Sequence, residues 1–312
     1  MGAAVNSAPA ISVVIPLFNK AAYVAEAIRS ILDQSLDAHE IIVVDDGSTD
    51  GSAEIVKAMA APKLKLVSQA NSGVSVARNR GIDEASGDYI AFLDADDRYQ
   101  PGYLAGIAGL ISEFPEAGVY CSAYTSFWDD GTRLVRRMKS ARPESAMLVS
   151  DFYRAWSKGT FTYTSAIVVR RSLLDDPALR FAPGQTLGED HDLWLRLVER
   201  TTMAYLDAAL VDYRKGVVGS ATQSGLVLTI LPCYQRLHDR LASGAIPSHL
   251  RRGARRLLAS HLLNIARTHM GLGNLGQATA FVADRRAMAN PVYFVRTLLA
   301  LAGMRMRSRP RA

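Results

Sequence analysis

The chain has 312 residues, 49% hydrophobic and 21% charged, which excludes disordered and fibrous classes and leaves room for one large domain or two ordinary ones. Its two cysteines, Cys121 and Cys233, are too few and too far apart for a disulfide framework or paired zinc-ligand spacing, so a reducing compartment is expected. The net charge of +6 is unevenly spread: 12 arginines and one acid, Asp284, lie from Arg251 onward, leaving 24 basic and 29 acidic residues before it.

Residues 1–10 read as a tail. They lack the charged start and apolar core of a secretory signal, so a cytoplasmic start is expected. Ile11 to Leu17 is an apolar run, and Tyr23, Val24, Ala27, Ile28, Ile31 and Leu32 then recur at helical spacing, predicting a strand and an amphipathic helix. Ile41 to Val44 is β-branched and wholly apolar, as befits a strand buried on both faces of a parallel sheet. A helix is predicted from Ser52 to Ala60, a strand from Lys63 to Val67, a helix carrying Val74, Ala77, Ile82 and Ala85, and a strand from Tyr89 to Leu93. This alternation predicts an α/β fold with a mostly parallel sheet flanked by helices.

Pro101 is expected to open a helix at its first turn. Beyond it, Val119 to Ala123 reads as a strand, Asp129-Asp130-Gly131 as a hairpin turn, and Phe161 to Arg170 as one longer strand. A helix is predicted from Glu189 to Arg200, followed by two short strands, Met203 to Leu206 and Ala209 to Tyr213. From Leu226 the pattern is helical only. The expected division is thus a catalytic domain over 11–220 and a helical C-terminal region over 221–312, with the boundary near Ser220 to Gly225.

In an open parallel sheet the ligand lies beyond the carboxyl ends of the strands. Those ends carry Pro16-Leu17-Phe18-Asn19, Asp45-Asp46 and Asp94-Ala95-Asp96-Asp97. A lone Asp there reads as a cap or turn residue, the reading taken for Asp50 and Asp97. Two acidic clusters on neighbouring strand ends repel unless a cation or a donor sits between them, which singles out Asp46, Asp94 and Asp96. An Asp-x-Asp suits a hard divalent cation whose open positions take phosphate oxygens. With no Gly-x-Gly-x-x-Gly and no P-loop, the expected ligand is a nucleotide diphosphate neutralised by Mn2+ or Mg2+.

Four segments occur in order: Ser12 to Asn19, Ile42 to Ser52 with Asp45-Asp46-Gly47-Ser48, Tyr89 to Asp97 with Asp94-Ala95-Asp96-Asp97, and Gly188-Glu189-Asp190-His191-Asp192-Leu193-Trp194. Together they resemble family 2 glycosyltransferases, inverting enzymes of the GT-A fold, over roughly residues 10–215. The resemblance implies that Pro16 and Phe18 border the base of a nucleotide-sugar donor, most plainly a UDP-sugar. It implies that Asp46 accepts a hydrogen bond from that base while Asp45 supports its loop. Asn71, Ser72 and Arg78 correspond to the segment closing over the nucleotide, Arg78 alternatively pairing with a nearby carboxylate. Asp94 would reach ribose or metal, and Asp96 would be the main metal ligand. Asp190 corresponds to the general base, and Glu189 either orients the acceptor or serves as a helix N-terminal acid. Trp194 reads as core packing in preference to sugar stacking. The implied acceptor is a saccharide or a lipid-linked saccharide of envelope polysaccharide synthesis.

Two departures stand out. The Gln-x-x-Arg-Trp motif of processive members is absent, which implies one transfer per encounter. The family histidine two residues after a Tyr-Arg pair is also missing, Tyr213-Arg214 being followed by Lys215 and Gly216; Lys215 is a candidate phosphate contact.

Toward the C-terminus, His261 to Ala278 with Gly271 and Gly273 reads as a helical hairpin. Arg251, Arg252, Arg255 and Arg256 share a helix face, and Arg305, Arg307 and Arg309 follow the apolar Leu298, Leu299 and Leu301. Such a pattern suits peripheral contact with an anionic membrane on its cytoplasmic face, or else an apolar stripe packed on the protein with solvated arginines. No aromatic-basic interleaving accompanies the charge, so nucleic acid is not an expected partner. The competing classes are a sugar nucleotidyltransferase, which lacks its glycine-rich stretch here, a signalling receiver domain, which is much shorter, and a non-catalytic nucleotide-sugar binder.

Overall fold

The computed structural model describes residues 8–185, 187–217 and 226–307. In chain order the elements are β1 (Ile11–Leu17), α1 (Val24–Leu32), β2 (Glu40–Asp45), α2 (Ser52–Ala58), β3 (Leu64–Ser68), α3 (Val74–Glu84) and β4 (Tyr89–Phe92). There follow β5 (Arg98–Tyr99), α4 (Tyr103–Glu113), β6 (Val119–Phe127), β7 (Arg133–Arg136), β8 (Ala146–Val149), α5 (Phe152–Trp156), β9 (Ile167–Arg170), α6 (Glu189–Leu197) and β10 (Met203–Arg214). The remainder is helical: α7 (Pro232–Ala242), α8 (Arg251–Gly271), α9 (Leu275–Ala283) and α10 (Pro291–Arg307).

The chain divides into two compact units, one of Met1–Ser150 with Thr160–Ser220, the other of Asp151–Gly159 with Ala221–Ala312. The second thus draws a segment around α5 from within the span expected of the first. The expected boundary near 220–225 and most of the N-terminal tail lie outside the described residues.

In the first unit the described strands form one sheet of order β3-β2-β1-β4-β9-β6-β10-β5, with β7 on β6 and β8 on β10. Pairing is parallel from β3 through β4. β9 then enters antiparallel to both β4 and β6, so the sheet is mixed. Val13, Val14 and Ile15 of β1 are fully buried, as a central strand covered on both faces requires, and each such side chain contributes roughly 1.5–3 kcal/mol. On one side α3 comes so close that a Cβ on Gly81 would stand 2.2 Å from Val14 Cγ1, which only glycine avoids.

Three expectations need correction. The single strand over Phe161–Arg170 is broken by a 3-10 turn at Thr164–Ala166, leaving only β9. The break turns the Thr164 and Ser165 hydroxyls onto Asp190 and Asp97, bonds that outweigh local β preference. The two short strands after Thr202 are one strand, β10, with register shifts between Leu206 and Val211. There Asp207, fully buried, accepts from Tyr205 Oη at 2.7 Å and pairs with Arg137 at 3.1 Å. Pro101 does not open the helix but lies in the turn before α4.

In the second unit α8 is the central helix. α8 and α9 form the expected helical hairpin, and Ala266, Met270, Ala278, Val282 and Leu301 share a small core. Asp151 caps α5 by accepting the Arg154 amide at 2.9 Å.

Candidate active site

The carboxyl ends of β1 and β2 are adjacent through the parallel register Pro16↔Val44 and Leu17↔Asp45, and the loops beyond them interlock. Asn19, at a positive φ of 51°, accepts the Thr49 amide at 2.9 Å, and its own amide donates to Ser48 Oγ at 3.1 Å. Asp50 accepts the amides of Ala21 and Ser52, and Asp45 that of Ser48 at 3.0 Å, so both hold loops, as expected of them. Pro16 is half-buried and Phe18 exposed at this end.

Asp46 is buried and takes three donors: Gln69 Nε2 at 2.8 Å, the Ser72 amide at 2.9 Å and the Gly73 amide at 2.8 Å. It ties the end of β2 to the exposed loop bearing Asn71 and Ser72. A carboxylate has about four acceptor positions, so one is left for a ligand. Gly47, at φ +76°, completes this junction, since a Cβ there would come within 3.0 Å of the Asn71 amide.

Beyond β4, Asp94 Oδ1 pairs with Arg78 at 2.7 Å, and Arg78 also pairs with Glu189 at 3.0 Å. Arg78 is buried on α3. Burial favours its neutral form, but the charges of Asp94 and Glu189 outweigh that and raise its pKa further. Asp96 Oδ2 pairs with Lys20 at 2.8 Å, a residue the sequence reading passed over. Asp97 is buried, accepting from Ser165 Oγ at 2.7 Å and the Arg214 amide at 3.0 Å. Burial, then the charges of Asp96 and Asp94, push its carboxyl well above the usual range. Ser165 Oγ also accepts the Asp94 amide at 3.1 Å, so one hydroxyl joins both ends of the acidic segment.

Gly188, at φ +73°, turns the chain into α6, whose first turn carries Glu189 and Asp190. Asp190 Oδ2 accepts from Thr164 Oγ1 at 2.9 Å and Oδ1 from the His191 amide at 2.7 Å. Burial raises its pKa, but the charges of His191 and Arg78 with these two hydrogen bonds prevail and hold it below the ordinary carboxylate value. Glu189 goes the other way: burial, then Asp190, raises it against the opposing pull of Arg78. Of the two neighbours, Asp190 therefore holds its proton the more weakly. Trp194 is fully buried against Phe92 and Phe181, a core residue as expected.

Among the described residues no three acidic, histidine or cysteine side chains converge as a complete metal cage. Asp94 and Asp96 nevertheless offer hard oxygen donors, since Asp94 Oδ2 and Asp96 Oδ1 keep out of the ion pairs, which suits a cation completed by phosphate oxygens. The Lys215 ammonium lies 3.9 Å from the Tyr213 ring centroid, and burial lowers its pKa.

The mixed α/β sheet with acids at adjoining strand ends and a carboxylate on the first turn of α6 defines the GT-A class of fold. A family model, Glycosyl transferase family 2, matches residues 12–176, and the chain belongs to that family. The putative teichuronic acid biosynthesis glycosyltransferase TuaG of Bacillus subtilis is 30% identical over 213 residues, 67% of this chain and 80% of that protein. The uncharacterized glycosyltransferase YibD of Escherichia coli is 41% identical over 128 residues, covering 40% of this chain and only 37% of YibD. Residues 1–349 of S. aureus TarS, solved in complex with UDP-GlcNAc, share the fold at a TM-score of 0.67 and 20% identity, over 95% of this chain and 81% of that one.

Proposed function

We propose that the chain is a metal-dependent inverting glycosyltransferase, moving a sugar from a nucleotide-diphosphate donor, with UDP the expected nucleotide, to a hydroxyl of a saccharide or lipid-linked acceptor. The observation that carries this is Arg78, paired with Asp94 at the end of β4 and with Glu189, the neighbour of Asp190 on α6, while its charge helps to hold the Asp190 carboxyl below its ordinary value. The acceptor hydroxyl gives its proton to Asp190 as its oxygen bonds the anomeric carbon. The bond to the diphosphate breaks on the opposite face, and its electron pair leaves with the diphosphate, so one displacement inverts the centre. Asp94 and Asp96 would hold Mn2+ or Mg2+, which supplies charge neutralisation for the leaving group. Lys20 and Arg78 add positive charge on the same side. The base pocket falls to Pro16, Phe18 and Asp46, with Asn71 and Ser72 on its loop. Glu189 holds Arg78 in place.

The likeness to TuaG, a putative teichuronic acid biosynthesis glycosyltransferase, supports an envelope polysaccharide as product, and the UDP-GlcNAc on TarS supports a nucleotide-sugar donor. Absence of the processive motif favours one transfer per encounter. No described helix is long and apolar enough to cross a membrane. A peripheral position on the cytoplasmic face of the membrane is part of the proposal. Calorimetry against UDP, GDP and dTDP with and without Mn2+, and a screen of nucleotide sugars for hydrolysis, test it. Asp96→Ala should abolish cation-supported nucleotide binding, and Asp190→Asn should keep binding and lose transfer. No binding to any nucleotide, or native transfer by Asp190→Asn, overturns it.

A further inference from the structure

In the second unit α10 packs with Thr297 and Leu301 buried, Leu301 in the small core of α8 and α9. Its opposite face is apolar as well. Val292, Leu299 and Met306 recur every seven residues at 61%, 67% and 71% exposure, with Val295 and Leu298 between them. Together they present on the order of 500 Å² of apolar side chain, toward the upper end for the largest such patch on a monomer.

Charge brackets this stripe. Arg296, four residues after Val292, lies on one border, and Arg305, seven after Leu298, lies on the other. Arg305 also donates to Thr279 Oγ1 at 2.6 Å. From Arg285 to Ala312 the sequence holds seven arginines and no acid. A second copy of the chain docking here would set like charge on like charge. An anionic surface with an apolar interior matches both the stripe and its borders.

We propose that α10 is an interfacial helix that seats Val292, Val295, Leu299 and Met306 among the acyl chains of an anionic bilayer while its flanking arginines bind lipid phosphates. The inference deepens the lipid-linked acceptor reading, and rests on it only for its purpose, since the catalytic unit would then be held where such an acceptor is presented.

The test is sedimentation of the full chain with vesicles of about 30% phosphatidylglycerol in phosphatidylcholine against pure phosphatidylcholine. Binding should require the anionic lipid and weaken with salt. Arg296→Gln should cost about fivefold in partitioning. Leu299→Gln with Val295→Gln, both at exposed positions that leave the core intact, should cost at least about tenfold. Equal binding to both vesicle types, or no effect of either substitution, overturns the proposal. So does a dimer in lipid-free sedimentation equilibrium that Leu299→Gln dissolves while vesicle binding persists. Nucleotide binding measured on the same samples separates the two readings: vesicle binding without nucleotide binding sinks the transferase alone, and the reverse sinks only the docking.

Discussion

Replacing Thr164 with Val removes one hydroxyl from Asp190, the proposed base, and almost nothing else. Thr164 is buried, so the isosteric side chain keeps the packing, while the 2.9 Å bond to Asp190 Oδ2 disappears. A hydrogen bond to a charged group contributes about 1.5–3 kcal/mol, and each pKa unit corresponds to about 1.36 kcal/mol. The His191 amide and the charges of Arg78 and His191 stay in place and still favour the ionised form. We therefore expect the Asp190 pKa to rise toward the ordinary carboxylate value. The sign is fixed: losing a donor to the carboxylate favours its protonated form, so the acid limb of the pH–rate profile moves to higher pH. The assay is nucleotide release from the donor with water as acceptor, followed from acid to neutral pH. Thr164→Ser, which keeps the hydroxyl, should restore the native limb. An unmoved limb in Thr164→Val, or equal shifts in the Val and Ser variants, refutes the assignment of Asp190 as a base tuned by this bond.

Arg78→Met leaves Asp94 and Glu189 without their shared cation, and breaking a buried pair of this kind costs about 3–5 kcal/mol, with the lower end expected because Asp94 is partly exposed. Glu189 is already raised by burial and Asp190, and loses its lowering partner, so the variant should be nearest native stability in acid and fall behind as pH rises through the new Glu189 value; melts at acid and alkaline pH check this. Lys20→Met frees Asp96 of its ammonium partner, so calorimetry should find tighter Mn2+ binding without nucleotide and weaker nucleotide binding in chelator; no change in either would remove Lys20 from the site.

The first half of the sheet was legible because strands covered on both faces leave unbroken apolar runs such as Ile11–Leu17 and Ile41–Val44, and because the acids stand where those runs stop. The turn at Thr164–Ala166 was not, since Phe161–Arg170 is mostly β-branched and aromatic and what ends the strand is a pair of bonds to residues 26 and 68 positions away. Polar Thr164 and Ser165 inside a buried run were the available signal. Lys20 was invisible for the same reason, as its partner lies in another motif. The grouping of Asp151–Gly159 with the C-terminal helices is a tertiary fact, expressed in Gly253, where a Cβ would stand 2.3 Å from Asp151 Oδ1. β7 and β8 are four residues each, too short for periodicity to register.

Arg78 is one guanidinium divided between two claimants. Whatever neutralises Asp94 weakens one claim and releases positive potential toward Glu189 and Asp190. A ligand that neutralises Asp94 therefore lowers the proton affinity of Asp190, and a protonated Asp190 tightens the hold of Arg78 on Asp94. Reciprocity of binding free energies requires both. A ligand at Asp94 and a proton at Asp190 thus oppose one another through a residue that faces both, so acid should loosen whatever neutralises Asp94.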